Sequence, residues 1–171
     1  SKLSMSNPRH DQFQLFTGTQ IASLRTGGAI LRDCLAHVAA LVKPGVTTGQ
    51  LDAAAEEFIL SRGGKPAFLG YQGFPGTLCT SVNDEVVHGI PGKYQLQDGD
   101  IVALDCGVIY DKLYTDACVT VAAGSVDVKK RCFLDVTSAA LEDVIKEVVK
   151  PGAHVGDISS FIQRRGQAEA D

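Results

Sequence analysis

Residues 101–121 read IVALDCGVIYDKLYTDACVTV, and the predicted architecture is built around them. Two runs of β-type residues, Ile101–Tyr110 and Leu113–Val121, lie on either side of Asp111 and Lys112. A two-residue gap between two such runs predicts a tight β-hairpin. The first run is almost wholly apolar, so we expect its strand to be buried on both faces.

The predicted hairpin brings two aspartates together. With a two-residue turn the numbers of paired residues sum to 223, so Asp105 lies opposite Cys118. Asp116 then lies opposite Gly107, which is expected to leave space between the two carboxylates. Because side chains alternate along a strand, both aspartates lie on one face as diagonal neighbours, about 7–8 Å apart at the backbone.

Two carboxylates that converge on an apolar sheet cannot both stay ionised without compensation, because burial and like charge each raise a carboxyl pKa. A divalent cation compensates them, since carboxylate oxygens suit hard and borderline metals. The sequence therefore predicts a metal site at Asp105 and Asp116. Two other interpretations of the pair stay open, namely polar residues on a solvated sheet face and an acid dyad that shares one proton.

Helical patterns precede the hairpin. Thr17 and Gln20 have the spacing of a capping box. An apolar or small face follows them at steps of three and four, formed by Ile21, Leu24, Gly28, Leu31, Leu35, Val38 and Val42. A K-P-G sequence at 43–45 ends this helix, and residues 47–50 cap a second helix that ends at Gly63-Gly64.

Further short elements complete the predicted order. β-type runs occur at Thr77–Val82 and Val86–His88. Asp127 is placed to cap a third long helix that runs to Val149. A second K-P-G sequence, at 150–152, ends that helix.

The two K-P-G sequences belong to a longer match. Residues 43–51, KPGVTTGQL, align with 150–158, KPGAHVGDI, at an offset of 107. We interpret the match as a duplicated helix–helix–sheet unit, the alternative being that K-P-G is simply a common helix terminator. Equal copies would take the native chain to about residue 257, so we expect a truncated or incompletely represented protein.

The predicted domain organisation follows from this match. Residues 1–12 are expected to form a flexible N-terminal segment, and 13–171 an incomplete domain. Within that domain, repeat 1 spans about 17–126 and a partial repeat 2 spans about 127–171.

Composition excludes several classes of protein. The 171 residues are 44% hydrophobic and carry a net charge of −4, without a basic stripe for nucleic acid. No apolar run approaches the length that spans a bilayer. The five scattered cysteines include no C-x-x-C pair, which argues against a disulfide framework or a zinc knuckle and favours a reducing cytosol.

Three further stretches carry a resemblance to a known family. Residues 70–75 read GYQGFP, 79–91 read CTSVNDEVVHGIP and 98–101 read DGDI. Together with the two aspartates that follow, they are similar in order and spacing to the signature blocks of type I methionine aminopeptidases. The resemblance covers residues 13–163 and implies an α+β pita-bread fold, present as a first half-unit plus the opening helices of the second.

The resemblance also implies roles for single residues. Asp105 and Asp116 would be ligands of two divalent metal ions, with cobalt, manganese, iron and zinc as candidates. His88 would hydrogen-bond the scissile peptide group and stabilise the transition state. A pocket for the methionine side chain would be lined by Phe68, Tyr71, Phe74 and Cys79, together with His88. Without the resemblance, Tyr71 and Phe74 would be read as core residues and His88 as a turn histidine bonded to backbone.

The implied activity is hydrolytic removal of the initiator methionine from nascent proteins in the cytoplasm. N-terminal methionyl peptides are the expected partners and the ribosome is a candidate partner, with no direct nucleic-acid or membrane binding. Three further ligands, one histidine and two glutamates, would come from a missing second half, so the chain as given is expected to be inactive. The alternatives are a non-catalytic ribosome- or protein-binding relative and a proline-directed peptidase of the same fold.

The sequence departs from the family's pattern at the hairpin. Lys112 replaces a glycine after Asp111, and Tyr114-Thr115 replaces a histidine-glycine pair before Asp116. These departures concern the geometry of the turn and leave the spacing of the two aspartates unchanged.

Overall fold

A computed structural model describes residues 15–168 of the chain. The predicted flexible segment 1–12 lies outside these residues. Helices and strands follow one another as α1 Gly18–Leu41, α2 Thr48–Ser61, β1 Lys65–Pro66, β2 Leu78–Val82, β3 Asp100–Tyr110, β4 Leu113–Ala123, α3 Val128–Glu147 and α4 Val155–Ala168, with a short 3-10 turn at Tyr71–Gly73.

The predicted capping box of α1 is confirmed. Thr17 Oγ1 accepts from Gln20 N at 3.2 Å, and Thr17 N donates to Gln20 Oε1 at 2.8 Å. The buried face is rotated from the predicted one and consists of Gly27, Ile30, Leu31, Cys34, Leu35 and Val38. Packing on the sheet begins at Gly27, where a Cβ atom would lie 3.2 Å from Cβ of Tyr110. Ile21, which precedes that contact in the helix, is 43% exposed.

Helix α2 begins and ends as predicted. Thr47 and Gln50 form a second capping box, and Gly63 follows the helix with a φ of +76°. That left-handed conformation carries no Cβ penalty at glycine, which is why the helix can end there.

The sheet is antiparallel and centred on β3. Strand β4 pairs along one edge of β3, while β2 and β1 share the other edge. Tyr110 pairs with Leu113, so the predicted register is confirmed along the whole hairpin. Asp111 and Lys112 have φ values of +49° and +65°, as a type I′ turn requires. Lys112 therefore adopts a conformation that favours the glycine of the family pattern.

Helices α1 and α2 cover one face of the sheet only. Val102, Leu104, Cys106 and Val108 point toward them and are fully buried. The intervening positions of β3 lie on the opposite face, where Ile101, Ala103, Asp105 and Ile109 are half-buried and only Gly107 is buried. The expectation that this strand is buried on both faces was therefore wrong. Residues of two loops line this second face, and a cavity remains between them and the strands.

The predicted strand at Val86–His88 was also wrong, because these residues lie in a loop. The φ of His88 is +60°, which turns the chain back toward β2. Thr80 N donates to Gly89 O at 2.8 Å, and Gly89 N donates to Ser81 Oγ at 3.1 Å. These bonds replace a strand ladder and leave Val86 89% exposed.

Helices α3 and α4 follow the sheet and contact each other. Asp127 caps α3 as predicted, its carboxylate accepting from Lys130 N at 2.8 Å. Lys130 Nζ also donates to Gly99 O at 2.6 Å, which ties the start of α3 to the turn before β3. In the part of the chain that the structure describes, no helix is both long and apolar enough to cross a membrane.

Candidate metal centre and adjoining pocket

The two aspartates lie together on the half-open face of the sheet. Asp105 pairs with Cys118 and Gly107 pairs with Asp116, so the two carboxylates are diagonal neighbours. Burial, reinforced by the charge of Asp116, raises the pKa of the Asp105 carboxyl. Nearby His88 acts in the opposite direction, and the resulting pKa is about 6. The prediction that both side chains share one face is confirmed.

A cavity of about 510 Å³ opens beside this pair. It is lined by Phe68, Tyr71, Gln72, Gly73, Phe74, Pro75, Cys79, His88, Ile90, Asp105 and Asp116. Every site residue predicted from the sequence therefore lies on one surface. Sequence reasoning did not single out Gln72, Gly73, Pro75 or Ile90. The available signal was their position inside the GYQGFP and CTSVNDEVVHGIP stretches.

The ring of Phe68 occupies the space that a side chain at Gly107 would fill. A Cβ atom added at Gly107 would lie 2.8 Å from Cε1 of Phe68 and 2.8 Å from Cβ of Ala67. The space beside Asp116 that was expected to stay open is therefore occupied, because the Phe68 ring lies over Gly107. An aromatic ring therefore lines the cavity next to the two carboxylates.

Cys79 forms a neutral part of the wall. It pairs with Asp105 across β2 and β3 and is 5% exposed. Burial, and then the charges of Asp105 and Asp116, raise the pKa of its thiol to about 11. A thiol with such a pKa is protonated at neutral pH, so Cys79 offers polarisable apolar surface and not a nucleophile. Exposed Cys118, on the other side of Asp105, has its pKa raised to about 11 by the same causes.

His88 reaches the cavity from the loop that follows β2. Its backbone is left-handed, and the adjacent Gly89 is pressed so closely onto β2 that a Cβ there would overlap the Thr80 carbonyl. Within residues 15–168 no hydrogen bond joins the imidazole to another protein group, so the interpretation of His88 as a turn histidine bonded to backbone is not supported. The imidazole is available to a ligand in the cavity.

The sequence profile of metallopeptidase family M24 matches residues 22–169. The chain belongs to this family. A metallopeptidase family implies dependence on a divalent metal, in agreement with a carboxylate pair at which burial and like charge outweigh the effect of His88 on the pKa of Asp105.

Individual M24 relatives are similar over most of this chain. The methionine aminopeptidase of Borreliella burgdorferi is 43% identical over 152 residues, which are 89% of this chain and 60% of that protein. A methionine aminopeptidase structure from Thermotoga maritima matches with a TM-score of 0.88 at 36% identity, covering 91% of this chain and 62% of that one.

A more distant structure extends the comparison to the fold alone. The prolidase from Pyrococcus furiosus matches with a TM-score of 0.81 at 19% identity, covering 96% of this chain and 47% of that one. The predicted pita-bread fold is therefore confirmed, for the first part of these proteins. The chain spans about 60% of the length of the methionine aminopeptidases that it matches.

The residues described for this M24 chain fit part of a divalent-metal site. Asp105 and Asp116 provide the oxygen donors and the unbalanced negative charge that such an ion prefers. Across residues 15–168, however, no group of three or more His, Cys, Asp or Glu side chains is placed to hold a metal ion. Catalytic zinc sites usually take about three protein ligands, so the pair is an incomplete set.

Other candidate ligands lie elsewhere. His154 Nδ1 is 3.6 Å from Asp157 at the start of α4, and Glu142 pairs with Lys146 at 3.1 Å on α3. A second groove, of about 660 Å³ between α1 and β4, has Arg32 and Asp116 as its charged lining residues. Arg32 is engaged by Asp33 at 2.7 Å, and Asp116 belongs to the carboxylate pair already described, so the groove adds apolar surface and no further candidate ligand.

Proposed function

We propose that this chain is the N-terminal part of a type I methionine aminopeptidase, which hydrolyses the bond after the initiator methionine of nascent proteins. The observation that carries the proposal is the cavity in which a carboxylate pair adjoins an aromatic and sulfur-containing wall. The M24 match and the relatives named methionine aminopeptidase support it.

In this proposal Asp105 and Asp116 hold two divalent ions, with cobalt, manganese, iron and zinc as candidates. When bound, the ions acidify water and polarise the substrate carbonyl. The aspartates provide negative charge on a sheet face where the Asp105 carboxyl already has a raised pKa. Both carboxylates project from paired strands, Asp105 from β3 and Asp116 from β4.

The wall of the cavity selects and holds the first residue of the substrate. A methionine side chain is flexible and polarisable, and its sulfur packs favourably against aromatic rings. Phe68, Tyr71 and Phe74 provide the rings, and the protonated thiol of Cys79 adds a second soft surface. His88 donates a hydrogen bond to the scissile peptide group and so stabilises the charge that develops there.

The remaining parts of the reaction belong to residues beyond this chain. One histidine and two glutamates would complete the metal ligands, and one glutamate would act as the base. As given, the chain is then inactive and binds divalent metal weakly. The proposed setting is the cytoplasm, with nascent methionyl chains as substrates and the ribosome as a candidate partner.

The test compares two lengths of the protein. A chain extended with the sequence encoded after Asp171 is expected to hydrolyse a methionyl tripeptide in the presence of manganese or cobalt, whereas the 171-residue chain is not. Asp105→Asn should abolish turnover of the extended chain. Glu57→Ala removes an exposed carboxylate on α2 and should leave turnover unchanged.

Three outcomes would contradict the proposal. Cleavage of X-Pro peptides in preference to methionyl peptides would indicate a proline-directed peptidase. An extended chain without metal binding or hydrolysis would indicate a non-catalytic relative. Full turnover by the 171-residue chain, abolished by Asp105→Asn, would indicate a half-length enzyme that completes its site across a dimer.

A further inference from the structure

Two loops that wall the cavity meet at the N-terminal end of α2. The first, residues 67–77, carries the aromatic side chains, and the second, residues 83–99, carries His88. Neither loop contains a strand, so contacts other than a sheet ladder must satisfy and hold its backbone.

Asp52 holds the end of the first loop. Its Oδ1 atom accepts from Thr77 N at 2.7 Å and from Leu78 N at 2.8 Å. Thr77 and Leu78 are 0% exposed, so their amides have no access to water as an alternative partner. The next residue is Cys79, which pairs with Asp105, so the two amides that Asp52 holds immediately precede a strand position beside the carboxylate pair.

The second loop is held beside it by the first turn of α2. Thr48 Oγ1 accepts from Gly92 N at 2.9 Å, and Gly49 N donates to Gly92 O at 2.8 Å. Thr48 N donates to Tyr94 O at 3.0 Å. Amides in the first turn of a helix have no acceptor within the helix, so the helix end and the loop satisfy each other.

The two loops also touch each other over Asp52. A Cβ atom added at Gly76 would lie 2.6 Å from Cγ of Pro91 and 3.0 Å from Oδ1 of Asp52. Glycine at position 76 therefore permits the two loops to lie in contact, whereas any larger residue would force Pro91 or Asp52 to move. Asp52 lies at the junction of both walls of the cavity.

The second K-P-G unit shows that Asp52 is not needed to build such a helix. The corresponding position in α4 is Ser159, whose hydroxyl donates to Val155 O within the helix at 3.4 Å. Val155 corresponds to Thr48 and is 78% exposed. Since α4 forms with neither residue, the hydrogen bonds of Asp52 and Thr48 serve the loops and not the helix.

We infer that Asp52 is a positioning residue for the cavity. By holding the amides of Thr77 and Leu78, it sets where Cys79 and the aromatic loop lie relative to Asp105. It acts through β2, without itself lining the cavity. The consequence for peptide binding rests on the proposed function, whereas the position of Cys79 can be measured without it.

The test is alkylation of the metal-free protein by iodoacetamide, with the rate at each cysteine read by mass spectrometry. Asp52→Ala removes the acceptor of both amides. Asp52→Asn removes the same charge but keeps an oxygen, and Glu57→Ala removes an exposed carboxylate from the same helix. We expect Asp52→Ala to accelerate labelling of Cys79 about tenfold and the other two variants to stay within about twofold of the parent protein.

The remaining cysteines distinguish a local change from general unfolding. Cys34 and Cys106 are 0% exposed in the core and report global opening. Faster labelling of Cys79 alone supports the inference. It is overturned by an unchanged rate at Cys79, or by equal acceleration at all three cysteines, which includes an Asp52→Ala protein that fails to fold. Equal acceleration in Asp52→Asn and Asp52→Ala would assign the effect to charge and would also overturn it. Alkylation requires neither metal nor peptide, so a failure of the proposed function leaves this test intact.

Discussion

The helix pairs α1–α2 and α3–α4 have the same local geometry and different surroundings. Gly45 has a φ of +89° and Gly152 a φ of +90°. The amide that follows each glycine donates to the carbonyl of the preceding lysine, at 3.2 Å in the first pair and 3.1 Å in the second. The K-P-G sequences therefore end both long helices in the same way.

The second helix of each pair also begins in the same way. Thr47 N donates to Gln50 Oε1 at 2.9 Å, and His154 N donates to Asp157 Oδ2 at 2.8 Å. Different side chains thus make the same bond three residues apart. These local matches support the proposed duplication, with repeat 1 near 17–126 and a partial repeat 2 near 127–171. Superposition of 20–51 on 127–158, related by an approximate two-fold, stays a prediction.

Burial separates the two pairs. Val38 is 0% exposed in α1, whereas the corresponding Ile145 in α3 is 56% exposed. Helix α1 packs on β3 and β4, whereas the main contact of α3 is with α4. A sequence repeat therefore reproduces how a helix starts and stops, but the energetic value of its apolar face depends on whether a sheet lies against it.

The largest expected contrast is between Val38→Ala and Ile145→Ala. Removing two methyl groups from the fully buried site should lower the free energy of unfolding by about 2 kcal/mol, since a cavity is left behind. The change at the exposed site should cost less than about 0.5 kcal/mol. Urea unfolding of both variants measures the difference. Equal losses would show that α3 is as tightly packed as α1, which contradicts the comparison.

Gly45→Ala and Gly152→Ala test the part that the two pairs share. Among residues 15–168, no atom lies within 4 Å of the position that a Cβ would take at either glycine, so the cost is conformational alone. An L-residue in the left-handed region costs about 1–2 kcal/mol. We expect a similar loss of stability at both sites. At Gly152 the loss is measured as faster amide hydrogen exchange in α3 and α4. Gly28→Ala, in the interior of α1 with open space around it, is the matched control and should not destabilise.

The pH dependence of stability is expected to differ between a carboxyl on the sheet face of the site, Asp105, and an exposed carboxyl on α3, Asp135. The folded-state pKa of Asp105 is raised from 3.8 to about 6 by burial and then by Asp116, so the metal-free folded protein binds more protons than the unfolded chain between these values. The contribution of Asp105 to stability therefore falls as pH rises through that window. Asp116→Asn should recover about 1 kcal/mol above pH 6, a figure reduced for solvent screening.

Asp135→Asn, at an exposed position of α3, is the control for that experiment and should leave the pH profile unchanged. Urea unfolding at several pH values gives the profile. The profiles of both variants are compared with that of the parent protein. If the part of the free energy of unfolding that depends on Asp116 rises between pH 4 and 6, another group of the chain must balance the negative charge of Asp105. The case for a metal at the pair would then lose its electrostatic basis.

The smallest expected contrast concerns the helix caps. Thr47→Ala removes the hydroxyl that accepts from Gln50 N at 3.1 Å, and should cost about 1 kcal/mol. Asp157→Ala removes the other kind of capping bond, in which the Asp157 carboxylate accepts from His154 N at the start of α4, and a smaller loss of about 0.5 kcal/mol is expected because little else is buried there. Hydrogen exchange in the first turns of α2 and α4 measures both. A larger loss at Asp157 would indicate that α4 is held by more than its local bonds.

Much of the site was predictable because it depends on strand register. A two-residue turn and the alternation of side chains were enough to place Asp105 beside Asp116 without knowledge of the fold. The residues of the cavity wall came from the family resemblance, and they do line one cavity with the aspartates. The position of Phe68 over Gly107 was missed, because that contact joins a loop to a strand about forty positions away.

The sequence by itself determined the local elements of this protein. Capping boxes, helix stops and the hairpin turn depend on hydrogen bonds and backbone conformations within a few residues, so Thr17, Gly45 and Asp111 could be interpreted without knowledge of the rest. The same local rules act in both helix pairs, whatever lies around them.

Only the tertiary structure decided which surfaces those elements bury and how the cavity is closed. The helices cover one face of β3, the loop at His88 folds back onto β2 instead of forming a strand, and Asp52 reaches two amides 25 and 26 positions away. Each of these contacts joins distant parts of the chain. Their energies come from burial and from satisfying buried backbone groups, which are properties of the packed molecule and not of any short stretch.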